Sequence, residues 1–313
     1  MNILFVASEA HPYSKTGGLA DVVGALARAL SHQGHRVGVF TPFYRSVREK
    51  HPEIEPIEWY FNLPLGSDRG RGRLWSFDEN PKLTFYFLEE SEGAFDRNGF
   101  YQEKGMDYKD NARRFIFFSK CAAHFARHVG WKPEIVHAHD WQAGLVPLVI
   151  NHQSQYDGWT DAPPTLFTIH NLAYQGNFPG YDYNLTNLPW DYFSVEAGVE
   201  FFESMSCMKS GIVYSDAITT VSPNYANEIL TREVGCGMDG ALRARRHALT
   251  GILNGVDYDE WNTETNPFLK SSFSSMDLWG KSSAKRQLQE ELKLPDDPDI
   301  PLFATITDRK SVV

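Results

Sequence analysis

A lysine and two glycines follow the first predicted strand in an arrangement that suits an anion. Lys15 and Thr16 precede Gly17 and Gly18, and a stretch with helical spacing of apolar residues comes next. Glycines let the backbone approach a ligand closely, and the start of a helix offers free N–H groups and partial positive charge. The segment could therefore hold a phosphate group, with Lys15 adding a full charge. A tight turn with a surface lysine explains the same residues, and the spacing matches neither a dinucleotide fingerprint nor a Walker loop.

The segment HAHDW contains a second group of polar residues. His137 and His139 would share one face if a strand continued through them, and with Asp140 they could bind a metal ion. No other cluster of histidines or cysteines stands nearby in the sequence, so we predict no metal. Asp140 could instead cap a following helix, or it could contact a sugar hydroxyl.

Two more predicted strands end in polar residues. His170 and Asn171 follow one apolar run, and Asn254 ends another. A structural histidine and an ordinary Asn-Gly turn are the alternative readings. In open parallel sheets, ligands bind beyond the carboxyl ends of the strands. We therefore expect the four polar strand ends, beginning with the Lys15 segment, to converge on one cleft.

An alternation of strands and helices is expected to position these residues. Residues 2–8 and 36–41 are predicted strands on either side of a helix that ends near Gln33, which makes a βαβ unit. Two adjacent antiparallel strands are predicted at 71–77 and 82–90, and a helix at 108–129. The remaining predicted strands are 134–140, 165–171, 216–222 and 248–257. This order predicts an α/β fold.

Composition limits the class of protein. The chain has 313 residues, a net charge of −10, 42% hydrophobic residues and 22% charged residues, which is typical of a globular protein. The acidic balance argues against a general nucleic-acid or membrane binder. No apolar run is long enough to span a membrane, and the first apolar run is too short for a signal peptide. Three cysteines without a C-x-x-C pair predict reduced thiols and a cytoplasmic protein.

Five motifs in order resemble the family of bacterial glycogen synthases and plant starch synthases, the glycosyltransferase 5 family. They are KTGGLADVVGAL at 15–26, HAHDWQAGL at 137–145, FTIHNLAYQGNF at 167–178, ITTVSPNYANEI at 218–229 and LNGVDYDEWN at 253–262. The resemblance implies a GT-B glycosyltransferase with two Rossmann-like domains facing a cleft. It implies transfer of glucose from ADP-glucose to the non-reducing end of an α-1,4-glucan, with retention of configuration. It implies no cofactor and no catalytic metal, and it leaves the oligomeric state open.

The resemblance also implies roles for particular residues. Lys15 would contact the donor phosphates, Gly17 and Gly18 would shape its loop, and Asp21 would support that site. Asp140 and His170 would be the catalytic residues near the transferred sugar and the acceptor. Tyr101 and Asn254 would line the cleft and bind substrate.

The resemblance also implies how the chain divides into domains. Residues 1–253 would form the N-terminal starch-synthase-type domain, and 254–300 a linker with a helix at 281–292. Residues 301–307 would be the first strand of a truncated C-terminal domain, and 308–313 a non-native tail. The family's arginine and lysine on the diphosphate would be missing, since Asp308 stands where the arginine is expected. We therefore expect the fragment to be inactive alone.

Two other functions compete with glucosyl transfer. A glucan-binding module without catalysis would also keep the polar strand ends. An oxidoreductase that uses a nicotinamide cofactor is disfavoured, because no G-x-G-x-x-G motif follows the first strand.

Overall fold

The computed structural model describes residues 1–305. Its strands, in chain order, are β1 (Asn2–Val6), β2 (Arg36–Pro42), β3 (Glu55–Leu65), β4 (Asp68–Asn80), β5 (Leu83–Glu90), β6 (Gln102–Glu103), β7 (Met106–Asp107), β8 (Ile135–His139), β9 (Thr165–Ile169), β10 (Asn177–Pro179), β11 (Glu200–Phe201), β12 (Ser204–Ser206), β13 (Ala217–Thr220) and β14 (Leu249–Gly251). The α-helices are α1 (Gly18–His32), α2 (Arg45–Lys50), α3 (Asn111–His128), α4 (Val146–Tyr156), α5 (Cys207–Tyr214), α6 (Pro223–Glu228), α7 (Asp239–Ala244), α8 (Tyr258–Trp261) and α9 (Trp279–Glu291). Short 3₁₀ helices cover Trp141–Ala143, Gly180–Thr186, Trp190–Tyr192 and Arg246–Ala248.

One mixed sheet of nine strands organises the fold. Its order is β14-β13-β9-β8-β1-β2-β5-β4-β3. Neighbouring strands are parallel from β14 through β5, and β4 and β3 continue the sheet as antiparallel strands. The chain leaves β1 toward β2 and β5, and later returns to β1's other side with β8. The boundary between β1 and β8 is thus the point where the strand order reverses, and ligands bind at such points in open sheets.

The predicted α/β fold class is confirmed, and the first βαβ unit shows why. All of β1 from Ile3 onward is buried, as expected for a parallel strand covered on both faces. Helix α1 buries a stripe that includes Leu19, Val23 and Ala27. Helix α3 buries Phe115, Phe118, Cys121, Ala122 and Phe125, which are the residues whose helical spacing is visible in the sequence.

The antiparallel edge of the nine-stranded sheet contains a long strand that the sequence patterns do not predict. Strand β3 holds Pro56 and Pro64 and pairs with β4 alone in the sheet. Proline cannot donate a ladder hydrogen bond, and it is tolerated in edge strands such as this one. Because of these prolines, the alternation of apolar and polar residues does not predict this strand of eleven residues.

The chain divides into two compact units, Met1–Asn254 and a second that begins at Gly255. The second unit contains α8 and α9, and α9 overlaps the helix predicted at 281–292. The strand predicted at 301–307 is not formed over 301–305, which have no regular secondary structure; 306–313, including the predicted non-native tail, lie outside the described residues. A strand needs a partner to share its hydrogen bonds, and no other strand lies among the described residues of this unit. The predicted domain limits remain predictions.

The structure shows how exposed the cysteines are and whether a described helix could span a membrane. Cys121 and Cys207 are buried free thiols, and Cys236 is an exposed one. Burial raises the pKa of the Cys121 thiol well above its ordinary value, so this side chain behaves as an apolar core residue. Among the helices of residues 1–305, none combines the length and apolar character needed to cross a bilayer.

Candidate functional site

The carboxyl ends of β8 and β9 bring Asp140 and His170 together. His139 on β8 is in register with Thr168 on β9, so the next residues leave the sheet side by side. The Asp140 carboxylate accepts the backbone N–H of His170 at 2.8 Å. Asp140 also has φ of 53°, in the left-handed region that non-glycine residues seldom occupy. Its contacts across the sheet hold it in this conformation. Its side chain does not cap the 3₁₀ helix that follows, so the capping alternative is not supported.

Burial makes Asp140 a weaker acid than an ordinary aspartate. The side chain is 9% exposed, and loss of water raises its pKa to about 7. The N–H groups of His170 and Asn171 favour the charged form, and the negative charge of Glu9 opposes it. A carboxyl group that titrates near neutrality can present either a charged acceptor or an O–H donor to a ligand.

Three histidine rings lie close together near the same sheet edge. Strand β8 persists through His139, so His137 and His139 share a face with ring centroids 3.9 Å apart. His139 Nδ1 lies 3.0 Å from His170 Nε2, within hydrogen-bond distance, so that one ring donates and the other accepts. Burial lowers the pKa of His170 to about 4 and that of His139 well below its ordinary value. Both rings are therefore neutral at pH 7.

His137 contacts the His139 ring, but its hydrogen bond goes to a threonine. Its Nε2 lies 2.6 Å from the Thr168 hydroxyl, which lies 2.6 Å from the Thr219 hydroxyl on β13. Burial lowers the pKa of His137 to about 3. The nearest nitrogens of the His139 and His170 rings face each other, and His137 faces threonines. The prediction that no metal is used stays a prediction.

The predicted anion site lies between β1 and α1. The Lys15 ammonium is 2.7 Å from the Asp21 carboxylate, and both side chains are more than one-third exposed. Helix α1 begins at Gly18, and Gly17 precedes it in an extended conformation. A Cβ atom on either glycine would meet no atom within 4 Å. Protein packing therefore does not require glycine at these two positions, which leaves space for a ligand beside the helix start.

Tyr101 is connected to this loop through Glu9, which the sequence patterns do not single out. The Tyr101 hydroxyl donates to the Glu9 carboxylate at 2.6 Å and lies 2.7 Å from the Ser8 hydroxyl. Glu9 also accepts the hydroxyl and the backbone N–H of Thr16, next to Lys15. The only sequence signal for Glu9 is its place directly after a buried strand. Burial raises the pKa of Tyr101 well above its ordinary value, so its hydroxyl stays protonated.

The predicted site residues thus form two contact groups, and one residue stands apart. Lys15 and Asp21 pair beside Thr16, while Asp140 contacts His170. Asn254 is exposed and joins none of these contacts within the part of the chain that is described. Trp141 is partly buried beside Tyr101, with ring centroids 6.2 Å apart.

Known proteins resemble this chain over most of its length. The model of the starch synthase catalytic domain matches residues 2–244. The glycogen synthase of Syntrophotalea carbinolica is 43% identical over 307 residues, which are 98% of this chain and 63% of that protein. The glycogen synthase of Myxococcus xanthus is 44% identical over 98% of this chain and 64% of its own length. The chain therefore spans less than two-thirds of the length of these curated relatives.

A solved structure gives the same picture of the fold. The catalytic domain of starch synthase IV from Arabidopsis thaliana, bound to ADP and acarbose, superposes with a TM-score of 0.79 at 30% identity. The match covers 94% of this chain and 59% of that one. The large parallel sheet is accordingly that of a GT-B glycosyltransferase.

Proposed function

The chain belongs to the starch synthase catalytic domain family, and we propose that it takes part in glucosyl transfer from ADP-glucose to the non-reducing end of an α-1,4-glucan. The observation that carries this proposal is that two polar groups lie beyond the carboxyl ends of neighbouring strands of one sheet. Lys15 and Asp21 stand at the start of α1, and Asp140 and His170 stand beyond β8 and β9. Retaining transfer needs stabilisation of a departing diphosphate and of positive charge on the sugar.

The Lys15 loop suits the departing diphosphate. Free N–H groups at the beginning of α1 and the Lys15 ammonium both favour negative charge. Asp21 holds the ammonium at 2.7 Å, and the exposure of both side chains leaves the ammonium accessible. A bound diphosphate would share or replace Asp21 as the partner of Lys15. In this role Asp21 keeps the lysine aimed at the site before the donor arrives.

Asp140 and His170 suit the transferred sugar and the acceptor. His170 is neutral at pH 7, because burial lowers its pKa to about 4, so it can form a hydrogen bond without adding charge. We assign it to orient a sugar hydroxyl and not to act as a general base. The Asp140 carboxylate, with its raised pKa, can accept from a second hydroxyl. Tyr101 and Asn254 would complete the substrate-binding set.

The relatives support a nucleotide sugar and a glucan as ligands. The plant neighbour was bound to ADP and acarbose, and the curated relatives carry the name glycogen synthase. ADP-glucose as the donor, the absence of a cofactor and a cytoplasmic location remain predictions from the sequence. No nucleic-acid or membrane partner enters the proposal.

Three assays on the 313-residue chain test the proposal. Co-sedimentation with glycogen measures glucan binding, calorimetric titration measures ADP binding, and incorporation of labelled glucose from ADP-glucose into maltoheptaose measures transfer. Binding of both glycogen and ADP supports the proposed site, and Lys15→Gln should weaken ADP binding while leaving glycogen binding unchanged. A chain that binds neither ligand contradicts the proposal.

The second candidate is a glucan-binding module without catalysis. The observation in its favour is that His170, neutral at pH 7, and the Asp140 carboxyl group can form hydrogen bonds with sugar hydroxyls without any transfer. Glycogen binding without ADP binding or glucose transfer would favour this candidate. Normal turnover by the purified chain would exclude it and would also contradict our expectation that the fragment is inactive alone.

A further inference from the structure

Glu9 connects two segments that are far apart in the sequence. It lies beyond β1, between the strand end and the glycine loop, and it is 3% exposed. Its carboxylate accepts the Tyr101 hydroxyl at 2.6 Å and the Thr16 hydroxyl at 2.6 Å. It also accepts the backbone N–H of Thr16. Hydrogen bonds to a carboxylate are stronger than those between neutral groups, especially where water is excluded.

One of these partners, Thr16, is flanked by residues with proposed ligand contacts. Thr16 lies between Lys15 and Gly17, in a stretch that is exposed from Lys15 through Gly18. Packing does little to fix this stretch, since a Cβ on Gly17 or Gly18 would touch nothing within 4 Å. Ser14, just before the stretch, is buried and bonds to Ala10. Beyond Ser14, the stretch is held by the Thr16–Glu9 bonds and by the Lys15–Asp21 pair, which is exposed and weak.

The Tyr101 side is anchored more firmly. The Tyr101 hydroxyl lies 2.7 Å from the Ser8 hydroxyl, and the Tyr101 carbonyl accepts the side-chain amide of Asn111 at 2.9 Å. The Tyr101 ring also packs near Phe115, with centroids 5.8 Å apart. Glu9 thus joins a firmly held tyrosine to a loosely held loop.

We propose that Glu9 is a positioning residue: its carboxylate ties the Lys15 loop to Tyr101, so that the proposed diphosphate-binding loop and this residue of the substrate-binding set keep one geometry before a ligand binds. This inference rests on the proposed function for the identity of the ligand. Preorganisation of this kind improves affinity, because the loop does not have to be ordered when the ligand arrives. Glu9 acts through Thr16 and Tyr101 and does not touch the ligand.

Amide exchange of Thr16 tests the tether without any ligand. In the 313-residue chain, Glu9→Gln removes the charge, and Tyr101→Phe removes the hydroxyl that holds the carboxylate. Each should accelerate exchange of the Thr16 N–H by about tenfold, because each weakens a bond to a charged acceptor. Tyr108→Phe is the control, since the Tyr108 hydroxyl accepts the Gly99 N–H at 3.3 Å in the same region and has no bond to Glu9. Unchanged Thr16 exchange in Glu9→Gln and Tyr101→Phe would overturn the proposal.

ADP titration tests the consequence for binding. Glu9→Gln should weaken ADP binding by about tenfold if the Lys15 loop loses its fixed position. Glu90→Gln is the matched control: Glu90 is a buried carboxylate, 6% exposed, that accepts the N–H groups of Glu92 and Ala94 in another loop. A purely structural role predicts equal effects of the two substitutions on ADP affinity, and that result would overturn the positioning role. If the unsubstituted chain fails to bind ADP while the exchange pattern holds, the proposed function fails and the tether stands.

Discussion

Acid should weaken the fold through His137, whose neutral imidazole is buried in the middle of β8. The ring is 7% exposed, lies 2.6 Å from the Thr168 hydroxyl and packs against Phe5 and His139. Burial lowers its pKa to about 3 in the folded chain, against 6.5 as the ordinary value. Between these two values the unfolded chain binds the proton and the folded chain does not. The free energy of unfolding must therefore fall as the pH drops below about 6.5.

The pKa of His137 in the unfolded chain sets how much stability is lost in acid. At pH 5 the unfolded imidazole lies 1.5 pH units below its pKa of 6.5, and each unit is worth about 1.36 kcal/mol, so His137 should cost about 2 kcal/mol of stability relative to pH 7. Any folded-state pKa below about 4 gives the same figure, because the folded ring then stays neutral at pH 5. Small changes in the environment of His139 and His170 accordingly leave this figure intact.

Urea unfolding of the wild-type chain and of His137→Gln at pH 7 and pH 5 measures this quantity. The variant loses packing at both pH values, so the informative number is the stability gap between the two proteins. That gap should shrink by about 2 kcal/mol at pH 5. Thr219→Val is the control, because it removes the far end of the same hydrogen-bond chain without removing a titratable group. A gap for His137→Gln that is equal at both pH values would show that the ring does not titrate as the buried geometry requires.

Three further outcomes can be measured on the same chain. Asp140→Asn should gain stability relative to wild type as the pH rises from 5 to 7, because burial raises the pKa of Asp140 to about 7 and the folded chain resists losing that proton; urea titrations at the two pH values check the sign. Gly24→Ala should lose about 1 to 3 kcal/mol in thermal unfolding, because its Cβ would overlap the carbonyl oxygen of His11, whereas Gly240→Ala in α7 meets no atom and should lose nothing. Lys15→Met should change stability by less than about 0.5 kcal/mol, since its ion pair with Asp21 is exposed, yet it should weaken ADP binding in calorimetry.

Local sequence patterns predict the part of the fold whose signals are local. The β1–α1–β2 unit lies close to its predicted bounds, since an apolar run, two glycines and a helical stripe fall within about forty residues. The convergence of strand ends is also predictable, because parallel strands place their carboxyl ends at one edge. The edge strand β3 is missed, because its prolines mimic a loop. The strand predicted at 301–307 is wrong over 301–305, because an apolar run predicts a strand only where a partner strand exists.

The candidate site is predictable in its residue types and not in its contacts. Asp140, His170 and Lys15 can be picked out because polar residues follow apolar runs. Glu9 follows such a run as well, yet its importance depends on Tyr101, 92 residues away, and on the fold of the loop that returns Thr16 to it. Likewise, His170 is neutral because it is buried beside His139. The spacing of residues in the sequence does not predict this burial.

The central place of β1 explains why these distant residues are coupled. Phe5 on β1 is in register with His137 on β8, so Glu9 and Asp140 leave the sheet from adjacent strands. Burial is the main cause of the raised pKa of Asp140, and Glu9 adds a smaller contribution in the same direction. His139 is in register with Thr168, which places His170 one strand farther along. A slip of β8 by one residue would turn His137 and His139 to the opposite face and break both connections. The buried contacts of His137 with Thr168 and Phe5 therefore also fix the register on which the Asp140–His170 contact depends.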